Sequence, residues 1–273
     1  QMDFGAALNN NNEALYESAY VANYKNMQFI WFNQKFSKLS MSFLALNNGY
    51  QFENLIENKF QVAYLQTIGT YGKWDTSKFY GDFGLYAQTG EAAIANDKEN
   101  VGAYYAGFNL GYKFTVPFKA ELGFEYLSGK DQNDTNTKVK SFSPLFGTNH
   151  AFNGLMDNFY VGNHKNSVGL QDIYAKFIYD KNKWQVTLSP HLFYSAASVY
   201  NMTTLEEQDN YLGTEIDVVG SYKLDKNFVI SVGVSKMLGS DTMEVLKGGN
   251  NNTSSNWAWV MASFNPQLFS NKK

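Results

Sequence analysis

In the segment WQVTLSPHLFY, Ser189 and His191 stand two residues apart, so in an extended chain a hydroxyl and an imidazole point the same way. A nucleophile beside a base is the minimum for acyl transfer, but Pro190 interrupts the pair and no Gly-x-Ser-x-Gly turn accompanies it. His150, Asp157 and His164 follow one another at seven-residue intervals, yet spacing within a loop fixes no coordination geometry. Glu206, Glu207 and Asp209 make an equally weak case for calcium. With no cysteine there is no thiol nucleophile, zinc cluster or disulfide. The residues argue against an enzyme, and no metal or cofactor is expected.

The other candidates are charged residues spread through segments that alternate apolar and polar side chains. VGAYYAGFNLGYKF puts Tyr104, Ala106, Phe108, Leu110 and Tyr112 on one face and Tyr105, Asn109 and Lys113 on the other. FKAELGFEYLSG sets Phe118, Leu122, Phe124 and Tyr126 against Lys119, Glu121 and Glu125. LQDIYAKFIYD sets Ile173 and Phe177 against Asp172, Tyr174 and Lys176. GTEIDVVGSYKL sets Ile216, Val218 and Tyr222 against Glu215, Asp217 and Lys223, and SKFYGDFGLYAQ keeps Asp82 on its polar face. WQVTLSPHLFY, NFVISVGVSK and KLSMSFLALN follow the same design, whereas the phases of NMQFIWFN and FQVAYLQTIGTYG are ambiguous.

These segments must be strands. Aromatics are 17% of the 273 residues, with 22 Phe and 19 Tyr against four Pro, a balance that favours β structure. With MDFGAALN at the start and NWAWVMASF at the end, the count is about twelve strands. Their connections are expected to alternate between short (QKFSK, GKWDTS, TVP, DKNK, LDKN) and long (residues 10–26, 47–59, 90–100, 129–167, 196–213, 239–256). Greek-key sandwiches have no reason to keep that rule; up-and-down transmembrane barrels do. No run approaches the roughly 18 apolar residues of a spanning helix, but a spanning strand needs only about 9–11, of which every second one meets lipid. Rings of Tyr112, Phe114, Phe118, Tyr179, Trp184, Tyr222 and Phe228 beside the short links read as an interfacial girdle.

The expectation is an all-β, up-and-down antiparallel transmembrane β-barrel in the bacterial outer membrane. Residues 1–273 form a single domain, with long loops extracellular and short turns and C-terminus periplasmic. Outer-membrane lipid and lipopolysaccharide would meet its outside and small hydrophilic solutes its inside. The net charge of -3 and the absence of any basic run interleaved with aromatics exclude nucleic acid. No signal peptide precedes Gln1, so the chain reads as mature or partial.

The bore-facing set is then Asp82, Lys113, Lys119, Glu121, Glu125, Asp172, Tyr174, Lys176, Glu215, Asp217 and Lys223. Lys113, Lys119 and Lys223 collect beside short turns, while Glu125, Asp172, Glu215 and Asp217 sit towards the long loops, which polarises the bore along its axis. The bland alternative is that these charges merely pair and hydrate the wall. The stretch SFSPLFGTNHAFNGLMDNFYVGN, residues 141–163 in the loop 129–167, carries too many apolar side chains to lie in water. It is expected to fold inward as a constriction built on Phe146, His150, Phe152, Asp157 and Tyr160; the alternative is a cap over the rim.

The segments SPLFGTNHAFNGLMDNFYVG, GLQDIYAKFIY, SKLSMSFLALNNGYQ and WAWVMASFNPQLF carry a resemblance to the alginate-export family of outer-membrane porins, in the form found in Bacteroidetes. The resemblance implies a channel whose better-known relatives pass a polyanionic polysaccharide through an arginine-lined bore, in barrels with more strands at the N-terminus. This chain departs on both points. All 22 of its basic residues are lysine, and it would be the C-terminal part of a barrel of about 16–18 strands unless about twelve strands close by themselves. The function expected is passive diffusion of small hydrophilic solutes, saccharides among them, neutral to mildly cation-preferring. The alternative is a structural or interaction barrel with an envelope protein partner.

Overall fold

The computed structural model describes residues 1–9, 24–94, 96–148, 150–159, 167–267 and 269. Twelve strands form one antiparallel sheet in strict sequence order. The first six are β1 (Met2–Leu8), β2 (Asn26–Phe36), β3 (Leu39–Asn54), β4 (Lys59–Asp75), β5 (Phe79–Ile94) and β6 (Asp97–Lys113). The rest are β7 (Phe118–Leu127), β8 (Leu170–Lys181), β9 (Trp184–Tyr194), β10 (Tyr211–Lys223), β11 (Phe228–Gly239) and β12 (Ser255–Phe264), with one helix, α1 (Asp241–Lys247), before the last. This is the up-and-down order of a transmembrane β-barrel. Among the described residues β1 bonds only β2 and β12 only β11, so the two outermost strands are not joined to each other.

Register turns the alternation into two surfaces. One lateral row runs Phe83, Phe108, Phe124, Ile173, Leu192 across β5 to β9, and its last four members are exposed. The row beside it runs Asp82, Asn109, Gly123, Tyr174, His191, Glu215 from β5 to β10 and faces the other way. Exposed Phe4, Ile30, Phe43, Ile68, Leu85, Val218 and Val232 extend the first surface round the sheet. Water would not tolerate so continuous an apolar belt, and hydrocarbon requires it. At the short-turn ends ring pairs gather: Phe79 with Tyr112 (5.0 Å), Phe118 with Tyr179 (5.3 Å) and Trp184 with Tyr222 (4.6 Å). Amphipathic rings belong at that height of a bilayer.

Two expected loops are strand. Residues 47–59 and 90–100 contain little apolar alternation, yet β3 and β4 pair as far as Asn54–Lys59, and β5 and β6 as far as Ile94–Asp97. Ladder hydrogen bonds and cross-strand pairs such as Glu91 with Lys98 (3.1 Å) carry these hairpins. Where neither face meets lipid, the alternation that marks a spanning strand disappears. Residues 239–256 likewise hold α1. Ser240 caps it by accepting from the Met243 N–H (3.2 Å), and Gly248 ends it with a φ of 74°.

Within the sheet, small residues make room for rings. A Cβ on Gly123 would fall inside the Tyr174 ring of the neighbouring strand, so glycine lets that ring lie flat across β7. Pro190 has no N–H to offer the β8 ladder, and the pairing of β8 with β9 skips Ala175 and Lys176 at that level. Gly123→Val should lower unfolding stability in detergent by about 1–3 kcal/mol, because Tyr174 must leave its seat. Gly220→Ala, with nothing within 4 Å of the added carbon, should stay within about 0.5 kcal/mol. Urea titrations followed by tryptophan fluorescence compare the two.

Candidate functional site

The connection between β7 and β8 lies against the concave face of the sheet, fastened there by backbone and side-chain bonds at several depths. At its base the Lys130 N–H donates to the Ser167 carbonyl (2.9 Å) and the Phe142 N–H to the Ser128 carbonyl (2.9 Å). Val139 forms a parallel bridge with Val101 of β6. Gln88 of β5 grips Ser143 from both sides, its amide donating to the carbonyl (2.8 Å) and its oxygen accepting from the N–H (3.0 Å). Asp134, ion-paired with Lys140 at 2.8 Å, has its carboxyl held below the usual range by that neighbour.

Deeper in, the loop meets carboxylates of the strands. The Asn153 side-chain amide donates to Glu125 (2.9 Å) and, at 3.5 Å, to Asp172. The Met156 N–H and the Asn158 amide donate to Glu215 at 2.9 and 3.3 Å. Gly154 permits the approach, since with a φ of 81° and Glu215 against its Cα it has room for no side chain. His150 stacks on Trp257 of β12, centroids 4.7 Å apart, so the loop reaches the last strand as well.

Apolar contacts seal the remainder. Phe142 packs on Tyr105 (5.6 Å) and Phe159 on Phe193 (4.6 Å). These rings join Leu127, Leu170, Leu212 and Met237 in a core on the inner side of the sheet, with Leu145, Met156 and the α1 residues Met243 and Leu246 against it. Lys247 lies over the Phe159 ring at 5.5 Å, and burial pushes its ammonium pKa down.

The electrostatics of this face are unbalanced. Glu125 and Asp172 are direct cross-strand partners, a like-charge pairing that is unfavourable unless something intervenes. Asn153 intervenes from the loop, and the His191 Nδ1–H donates to Asp172 at 2.9 Å from β9. Two residues along β10 from Glu215, Asp217 is 2% exposed, and neither of its oxygens receives a hydrogen bond among the described residues; the His191 Nε2 lies 3.9 Å away.

The expected bore residues all lie on this inner face or at its short-turn end. Asp82 and Tyr174 line the space between loop and wall together with Glu125. Glu121 accepts from the Tyr80 hydroxyl (2.8 Å) and from Asn109 (3.3 Å), and stands opposite Lys176, whose Nζ covers the Tyr174 ring at 5.1 Å. Lys113 pairs with Asp75 and donates to the Thr76 carbonyl (2.9 Å), with Lys119 as its cross-strand partner. Lys223 ends β10 beside the turn to β11.

Of the loop residues, Phe146 and Phe152 also line that space, while Asp157 accepts from the His150 N–H (2.8 Å) and so ties the loop to itself. Tyr160 lies outside the described residues, as does His164. Ser189 and His191 do share the inner face, but the imidazole is engaged with Asp172, and no hydrogen bond joins it to the serine. No three His, Cys, Asp or Glu side chains among the described residues are arranged to hold a metal ion. Sequence reasoning put Gln88 on the inner face but missed its grip on Ser143, and it missed Asn153, Met156, Asn158 and the structural part of His191. The Asn153–Gly154 pair, a turn former inside an aromatic run, was the one local signal.

Twelve up-and-down strands with an apolar outer belt, a polar inner face and a loop packed against that face define an outer-membrane-type β-barrel. Residues 33–254 match the model of the family described as alginate export, and the chain belongs to that family. That membership agrees with the outer-membrane β-barrel architecture built above. Among solved structures, the copper transporter OprC aligns over 79% of this chain and 38% of its own at 12% identity, with a TM-score of 0.39. This chain therefore spans well under half of that protein's length. No curated protein sequence matches it.

Because Glu215 accepts two loop donors, Glu215→Ala should release the segment 150–159. By the strength of hydrogen bonds to a charged acceptor, hydrogen exchange at the Met156 amide should accelerate about ten- to hundredfold. Glu91→Ala, which removes an ion pair at a hairpin tip, should leave that amide unchanged.

Proposed function

We propose that the protein is a passive channel for small hydrophilic solutes, neutral to cation-preferring, with the loop 129–167 as its constriction. On this reading the long connections face the outside of the cell and the short turns and C-terminus the periplasm. Lipid and lipopolysaccharide surround the outer belt. The observation that carries the proposal is the loop itself: side chains of β5, β7, β8, β10 and β12 and a backbone bridge to β6 hold it on the inner face, which on this reading lines the solute's path.

The selectivity follows from the groups beside that passage. Glu125, Asp172, Glu215 and Asp217 cluster at the loop, and the donors they meet there are mostly neutral amides. The lysines of the inner face lie further towards the short turns, where Lys113 is already paired with Asp75. A long polyanion such as alginate would meet carboxylates at the narrowest level, and lysine lacks the planar fork with which arginine grips carboxylate groups. Membership of the alginate export family supports transport across the outer membrane; the wall of this member favours a different cargo charge.

Planar-bilayer recordings of the purified chain test this. Deleting residues 141–159 should raise single-channel conductance, and reversal potentials in a salt gradient should show cation preference that falls in the double variant Glu125→Gln/Asp172→Asn. Strong anion preference would overturn the selectivity, and unchanged conductance after the deletion would make the loop a rim cap. A purified chain that never conducts would favour a structural or interaction barrel.

A further inference from the structure

The loop does not fill the space it covers. Between it and the wall of β3 to β8 remains a cavity of about 570 Å³, within the range of small-ligand sites. Phe146 and Phe152, 58% and 51% exposed, turn their rings towards it although the neighbouring Phe142 and Phe159 are buried. From the wall come Tyr71, Tyr86, Tyr105 and Tyr174. So many rings around one open volume are costly to leave against water alone.

The polar groups narrow the choice of occupant. Two carboxylates, Asp82 and Glu125, line the cavity, and among the described residues no lysine or histidine does. Among the described residues Asp82 receives no hydrogen bond and forms no ion pair; Lys73, its cross-strand neighbour, is not part of the lining. A saccharide would find its side-chain donors reduced to tyrosine and threonine hydroxyls, because the Gln88 amide is committed to the Ser143 carbonyl and the Asn153 amide to Glu125. An anion would meet two carboxylates and the negative faces of rings, with neutral hydroxyls and no described cation in the lining to offset them. The wall already uses its rings for cations, since Lys176 sits over Tyr174 at 5.1 Å and Lys113 over Tyr80 at 5.3 Å.

We infer that this cavity binds a small organic ammonium ion, its apolar body against Phe146, Phe152 and the tyrosines and its charged head towards Asp82 and Glu125. The inference rests on the channel reading and deepens it, naming the class of solute that dwells at the constriction. The geometry suits a quaternary or primary ammonium on an aromatic or branched aliphatic body, because ring faces recognise such a head group without hydrogen bonds.

The test is calorimetric titration of the full chain in detergent with benzyltrimethylammonium chloride, phenyl β-glucoside and sodium benzoate. The ammonium salt should bind, the glucoside much more weakly and benzoate not at all. Asp82→Asn, isosteric and remote from the loop's anchors, should weaken ammonium binding about tenfold, and Phe152→Leu about three- to tenfold. Heat-dependent electrophoretic mobility confirms that each variant is folded. No ammonium binding, glucoside binding as tight as the ammonium, or an unchanged affinity in Asp82→Asn would each overturn the inference. Binding is read here without conductance, so a chain that conducts but does not bind separates this failure from failure of the channel reading.

Discussion

Backbone amides within hydrocarbon have no water to turn to, so each must find its partner in a neighbouring strand, and that requirement organises this protein. It fixes an antiparallel ladder running from β1 to β12 in chain order, because the shortest way to give each strand two bonded neighbours is to turn straight back. The ladder in turn imposes period two on the side chains. One set, typified by the row from Phe108 to Leu192, is given over to lipid; the other, typified by the row from Asp82 to Glu215, is turned inward.

An inward face cannot be built by the same rule, since it holds groups that must be satisfied by one another or by something placed among them. The loop between β7 and β8 is that something. Its amides reach Glu125, Asp172 and Glu215, its rings complete a core with Phe193 and Leu170, and its base is stitched to Gln88 and Val101. The core of this protein therefore lies inside the curve of the sheet, where a soluble sandwich would place a second sheet.

The strands were legible because lipid enforces alternation over about ten residues, and Tyr104 to Tyr112 or Phe118 to Tyr126 admit no other phase. Legibility failed where that pressure stops. Gly49 to Asn54 and Glu91 to Ile94 are strand for reasons of cross-strand bonding that a single segment does not display. The signals of α1 were in plain view, Ser240 before Asp241 and Gly248 after Lys247, but seven residues in a long connection offered no amphipathic period to draw attention to them. In the site, charged residues could be assigned to a face by parity alone. What parity could not supply was depth along the loop, so that Asn153, the Met156 amide and Asn158 became visible only as partners of Glu125 and Glu215.

The choice of partners has a consequence for the field on the inner face. Near solvent this protein joins acids to lysines, as in Asp134 with Lys140 and Glu91 with Lys98, and such pairs cancel. At the loop it uses side-chain amides and a backbone N–H instead, which satisfy the lone pairs of a carboxylate without supplying a counter-charge. Replacing Asn153 by lysine in thought makes the point: the hydrogen bond to Glu125 would survive while the electrostatic character of the inner face changed. His191, set between Asp172 and Asp217, adds positive charge among these acids when it is protonated. Fastening the loop and keeping the inner wall electronegative are thus achieved by one set of neutral donors, and a loop held by lysines would have met the first demand at the expense of the second.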